Sequence, residues 1–98
     1  MYGTVMVCAF NGDRAAVVRA IEDWRTDRSP HVKGFVDVGV LFTDDNKTLI
    51  NYVMFLSKRD YLSQADTPAQ DEWYRTRILP TLIGEPTWHD GEWAEFVE

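Results

Sequence analysis

Residues Thr48 to Leu56 read TLINYVMFL, and this run constrains the fold more than any other part of the chain. In a strand, alternate side chains point to the same face. Leu49, Asn51, Val53 and Phe55 therefore share one face, and Ile50, Tyr52, Met54 and Leu56 share the other. Both faces are apolar enough to need covering, so the one amide among them, Asn51, is carried into an enclosed place. There it needs partners for its donors and its acceptor. Such a residue is either a structural hydrogen-bonder or the polar handle of a ligand pocket.

The 98 residues fit a single domain, 1–98. A chain of this size buries ~60–65% of its unfolded surface, enough for one core. An apolar fraction of 45% with 13% aromatics is that of a folded globular protein. No apolar run approaches the ~18 residues of a membrane span, and no basic region followed by a long apolar stretch marks a signal peptide. Cys8 is the only cysteine, which excludes an intrachain disulfide and suits a reducing, cytoplasmic setting. It falls inside an apolar strand, where an inert thiol is expected rather than a nucleophile. Sixteen acidic residues against ten basic ones give a net charge of −6. That surface repels phosphate, so neither nucleic acid nor an anionic membrane is an expected partner.

Val5 to Phe10 reads as a buried strand. Asn11-Gly12-Asp13 ends it and offers Asp13 as a helix cap. Val17, Val18, Ile21 and Trp24 then mark one face of a helix over Arg14 to Arg28, stopped by Ser29-Pro30. Gly34 to Thr43 alternates as a strand, and Asp44-Asp45-Asn46-Lys47 turns it back into the Asn51 strand as an antiparallel hairpin. Lys58 to Asp66 shows helical spacing. Thr67-Pro68 opens a further helix over about Ala69 to Leu79, with a break expected at Pro80. Gly84-Glu85-Pro86 closes that region, and Thr87 to Val97 reads as a last strand around Asp90-Gly91.

The order β-α-β-β-α-β predicts an α+β, ferredoxin-like domain: an antiparallel sheet with both helices on one face. Phe35 and Leu41 are expected on one side of the second strand, and Val36, Val38, Val40 and Phe42 on the other. The sheet face without helices would then be a large apolar patch, and sheet-to-sheet pairing of two copies as a homodimer covers it.

Glycine-rich phosphate loops, GxSxG, CxxC and HExxH are all absent. His31 and His89 lack metal-ligand spacing and read as surface or loop histidines. Asp90 and Glu92, read in a turn, are expected to be solvated carboxylates. Hydrolytic and metal chemistry are therefore not expected. What remains is an aromatic-rich interior with few polar groups: Asn51, Tyr61, Trp24, Trp73 and Tyr74. Small-molecule sites are usually apolar cavities with one or two placed polar groups. A cavity between sheet and helices would suit a flat, hydrophobic, aromatic ligand.

The βαββαβ order, the Gly34-Phe35 strand opening, the segment TLINYVMFLSKRDY and the closing ILPTLIGEP resemble the antibiotic biosynthesis monooxygenase superfamily of dimeric α/β barrels. The resemblance spans Val5 to about Phe96. It implies a homodimer and, in its quinone-forming branch, a cofactor-independent oxygenase acting on phenols or anthrones. That branch carries an asparagine, an aromatic four residues later and a tyrosine six further on, which fall on Asn51, Phe55 and Tyr61. The aromatic is usually tryptophan there, and Phe55 supplies no N–H donor in its place. The branch's second-helix arginine has no clear equivalent; Trp73 stands at that position, with Arg75 and Arg77 nearby. The haem-degrading branch takes an iron-binding histidine from its second helix, and residues 62–83 here contain none. The resemblance thus implies Asn51 and Tyr61 as catalytic, Phe55 as substrate-binding, and no cofactor; the interior aromatics Trp24, Trp73 and Tyr74 are expected to complete the substrate-binding walls. A non-catalytic binding or interaction protein of the same fold is the alternative.

Overall fold

Four strands dominate the computed structural model, which describes residues 1–96. They are β1 (Tyr2–Phe10), β2 (Phe35–Phe42), β3 (Thr48–Phe55) and β4 (Leu82–Glu92). They pair in the order β2-β3-β1-β4, every neighbour antiparallel. Helix α1 (Arg14–Asp27) links β1 to β2, and α2 (Lys58–Ala65) with α3 (Pro68–Trp73) links β3 to β4. This is the ferredoxin-like arrangement the element order implies, and the helices lie on one face of the sheet.

Each helix starts where its sequence offers an oxygen to the free N–H groups of the first turn. The Ala16 N–H donates to the Asp13 carboxylate at 3.1 Å, the Asp60 N–H to the Ser57 hydroxyl at 3.1 Å, and the Gln70 N–H to the Thr67 hydroxyl at 3.3 Å. Pro68 occupies the first turn of α3, where its missing N–H costs nothing. Pro80 acts at the other end. It lacks a hydrogen to give and its ring crowds the carbonyl four residues back. The regular helix ends ahead of it, at the break the sequence implies. The chain widens into a π-helical turn over Tyr74–Ile78, closed by the Leu79 N–H on the Tyr74 carbonyl, then tightens into a 3₁₀ turn over Leu79–Thr81.

Two sheet irregularities depart from the sequence reading. The β2–β3 register slips between Phe35 and Asp37, a bulge at Val36. Phe35 is thereby turned to the helix side with Val38, Val40 and Phe42, instead of sharing the outer side with Leu41. The last strand begins at Leu82 rather than Thr87. Ala9 pairs with Ile83 and Val7 with Thr87, so Gly84-Glu85-Pro86 loops out as a bulge within the strand, with Gly84 at φ +75°. Turn chemistry in the sequence is here bulge chemistry. Asp90-Gly91 lies in the strand and not in a turn, and β4 ends at Glu92; Val97, the expected end, lies outside the described residues.

The core forms where α1 meets the sheet, from Met6, Cys8, Phe10, Val17, Ala20, Leu49 and Ile78. Burying side chains such as Met6, Val17 and Leu49 contributes ~1.5–3 kcal/mol each. On the opposite sheet face, Trp93 packs edge-on against Tyr52, with 5.9 Å between ring centroids, while Leu41 and Ile83 are exposed. Among the described residues no helix is long and apolar enough to cross a membrane.

Candidate functional site

The strand register builds the floor of a cavity row by row on the helix side of the sheet. Val38, Val53, Thr4 and Asp90 form one row across the four strands, and Val40, Asn51, Met6 and Trp88 form the next. Helix α1 contributes Val17, Ile21 and Trp24 to the walls; α2 contributes Tyr61, Gln64 and Ala65. Trp73 of α3 and Tyr74 and Ile78 of the π turn close the roof. The cavity, partly open to solvent, has a volume of about 280 Å³, just below the ~300–1,000 Å³ usual for small-molecule sites.

Five of the six expected site residues line this cavity: Asn51, Tyr61, Trp24, Trp73 and Tyr74. Phe55 does not, and the expectation that it forms a wall is corrected. It sits one row further along the floor, between Phe35 and Tyr2 in register, with no exposed surface. The rings of Phe35 and Tyr61 meet it edge-on at 6.0 and 5.7 Å. Phe55 therefore backs Tyr61 rather than facing a ligand.

Asn51 donates one amide hydrogen to the Gly39 carbonyl of β2 at 2.8 Å. A carbonyl can only accept, so this bond fixes the orientation of the amide. The second amide hydrogen and the side-chain oxygen take no partner among the described residues. Tyr61 stands above the Thr4 row, and its hydroxyl donates to Asp90 Oδ1 over a long 3.5 Å. Burial raises the Tyr61 pKa above its ordinary value near 10, and the negative charge of Asp90 adds to the rise. The phenol is thus neutral near pH 7. Tyr74 is shifted the same way, first by burial, and stacks against Trp88 at 5.8 Å.

A second polar cluster of the lining is tied together. Trp24 Nε1 donates to Gln70 Oε1 at 2.9 Å, the Gln64 amide donates to the same oxygen, and Trp73 Nε1 donates to the Ala20 carbonyl at 3.2 Å. The two arginines near Trp73 are engaged elsewhere, Arg77 with Asp23 at 2.7 Å and Arg75 with Asp71 at 2.9 Å. His31 and His89 are both exposed, and Asp90 and Glu92 are exposed on β4.

Sequence reasoning missed Thr4, Gln64, Gln70 and Trp88 as lining residues. Thr4 had a signal: it extends the alternation Met6, Cys8, Phe10 by one step, ahead of a strand read as starting at Val5. Trp88 is the inward residue opposite Met6 once β4 is in register. The two glutamines lie in polar stretches that pattern alone assigns to solvent.

Solved structures place this architecture. A monooxygenase from the gene ActVA-Orf6 of Streptomyces coelicolor, in complex with Nanaomycin D, superposes with a TM-score of 0.74 at 19% identity over 99% of this chain and 90% of its own. The fold is that of the antibiotic biosynthesis monooxygenases. A Caulobacter crescentus protein named for these monooxygenases gives 0.76 at 14% identity, covering 96% of this chain and 90% of that one. One from Nitrosomonas europaea, likewise named, gives 0.72 at 14%, covering 97% and 100%. No protein-family model and no curated protein matches the sequence.

Proposed function

We propose that the chain is a cofactor-independent monooxygenase acting on a flat, hydrophobic, aromatic or polyketide-like phenol, anthrone or quinone held in this cavity. One observation carries the reading: an apolar cavity into which Asn51 presents an uncommitted amide hydrogen and Tyr61 a neutral phenol. The ligand named for the Streptomyces coelicolor structure is consistent with a cavity of this fold taking a small molecule.

In such a reaction the substrate loses a proton and its electron-rich anion reduces O₂. A CH₂ group becomes C=O, one oxygen atom enters the product and the other leaves as water. The protein supplies orientation, exclusion of water and stabilisation of the developing oxyanion. Asn51 Nδ2 faces that oxyanion, Tyr61 moves a proton, and Trp24, Trp73 and Tyr74 sandwich the rings. The apolar outer sheet face, with exposed Leu41 and Ile83, supports pairing of two copies; sedimentation should then give a dimer mass.

Oxygen uptake with anthrone and no added cofactor tests the reading. Asn51→Ala should lower kcat ~10²-fold or more, the usual loss for one oxyanion donor. Unchanged turnover in a folded variant removes Asn51 from the mechanism. The engagement of Asn51 by Gly39 favours a second reading, a metabolite-binding protein of the same fold. That reading requires anthrone to quench tryptophan fluorescence while no oxygen is consumed.

A further inference from the structure

The proposed chemistry begins with removal of a substrate proton, and the cavity walls offer no ready base. Histidine is absent from them, and Asp71, the one lining carboxylate, is held by Arg75 at 2.9 Å. A second carboxylate stands just outside. Asp90 is the β4 member of the floor row containing Thr4, and the Tyr61 hydroxyl of the lining donates to it at 3.5 Å. We propose that Asp90 is the proton outlet of the site: a positioning residue that draws the Tyr61 hydrogen outward, so that the phenol oxygen takes a proton from a bound phenol or anthrone. This rests on the oxygenase reading above.

The step balances without a further reactant. The substrate O–H or C–H bond breaks and its electron pair stays on the substrate. That proton binds Tyr61 Oη while the phenol's own proton passes to Asp90 Oδ1. Tyr61 begins and ends neutral, as its burial favours. Asp90 is exposed and returns the proton to water. A carboxylate is an adequate base for weak acids when the resulting anion is stabilised, here by Asn51. The resting 3.5 Å contact is long, and such contacts commonly tighten only when substrate is bound.

The remaining surroundings of Tyr61 fit this assignment. Tyr2 of β1 packs on its ring at 5.6 Å, and Phe55 of β3 closes the other side. Lys58 of α2 lies over the Tyr2 ring at 5.6 Å, and Glu92 is opposite Tyr2 in register. Asp90 is the anion within reach of the hydroxyl. Below it the almost fully buried Thr4 hydroxyl makes no hydrogen bond of good geometry but faces the phenol oxygen, where it acts to lower the Tyr61 pKa against burial and Asp90. It is available to hold the phenol oxygen while the hydrogen is on Asp90.

Oxygen uptake with anthrone across pH, on wild type, Asp90→Asn and Asp90→Glu, tests the assignment. Asp90→Asn should lose ~10²-fold in kcat with anthrone binding, read by tryptophan quenching, unchanged. Asp90→Glu should regain most of the rate. Independently of turnover, the Tyr61 phenol, identified by its absence in Tyr61→Phe, should ionise at lower pH in Asp90→Asn. Wild-type rates in Asp90→Asn, or equal losses in both variants with weakened binding, overturn the proposal and leave the oxygenase reading standing. No uptake by the wild type overturns both.

Discussion

Two polar clusters line the cavity and differ in how their atoms are satisfied. In one, Trp24, Gln70 and Gln64 join three helices through a shared amide oxygen, with bonds of ordinary length or shorter. In the other, Tyr61 reaches Asp90 at 3.5 Å, the Thr4 hydroxyl makes no hydrogen bond of good geometry, and Asn51 keeps donor capacity in reserve. A satisfied buried network stiffens the structure that contains it, and an unsatisfied group awaits something. The first cluster is a wall; the second keeps unspent hydrogen-bonding capacity.

The sharpest way to break this contrast is to remove the wall. Trp24→Ala should cost ~3–5 kcal/mol of stability, the usual range for deleting a buried aromatic, measured by thermal unfolding. Gln70→Leu is a finer cut, stranding the Trp24 N–H and the Gln64 amide. A loss of ~1–3 kcal/mol in urea is expected, whereas no loss would mean that the network is incidental. In the Tyr61 cluster the sign should reverse. Thr4→Val removes a buried hydroxyl without a partner and keeps the shape, so stability should rise by ~1 kcal/mol; a drop would place Thr4 with the wall.

The smallest expected effect is alkaline. The folded state holds the Tyr61 proton above the ordinary pKa near 10, as it does for Tyr74 and Tyr52. This contribution is complete below pH 10 and fades as pH climbs through the raised value. Tyr61→Phe should flatten part of that decline in denaturation series from pH 9 upward.

Much of this molecule is legible in its sequence because strands announce themselves by two-residue alternation and helices by their caps. Asn51 and Val53 could be put on one face by counting, and Asp13 and Thr67 could be put at helix starts by their cap chemistry. Counting failed wherever one extra residue entered. The bulge at Val36 turned Phe35 to the helix side, and the loop-out at Gly84-Glu85-Pro86 hid the first half of β4. Phe55 was misplaced for a different reason. Sharing a face with Asn51 says nothing of how far along the strand the cavity extends, and at that row Phe35 and Tyr61 pack on Phe55 and fill the space. The glutamines were invisible because burial of an amide depends on partners from other helices, which no local pattern carries.

The π turn over Tyr74–Ile78 has an implication for how this pocket can change through time. Because it holds one residue more than an α-helical path needs, a single-codon deletion there is absorbed by rewinding, with the strands left in register. Such a deletion would rotate Tyr74 and Ile78 relative to Trp73 and reshape the roof alone. Length variation in this turn is thus a route by which relatives sharing one sheet can diverge in the molecules they admit.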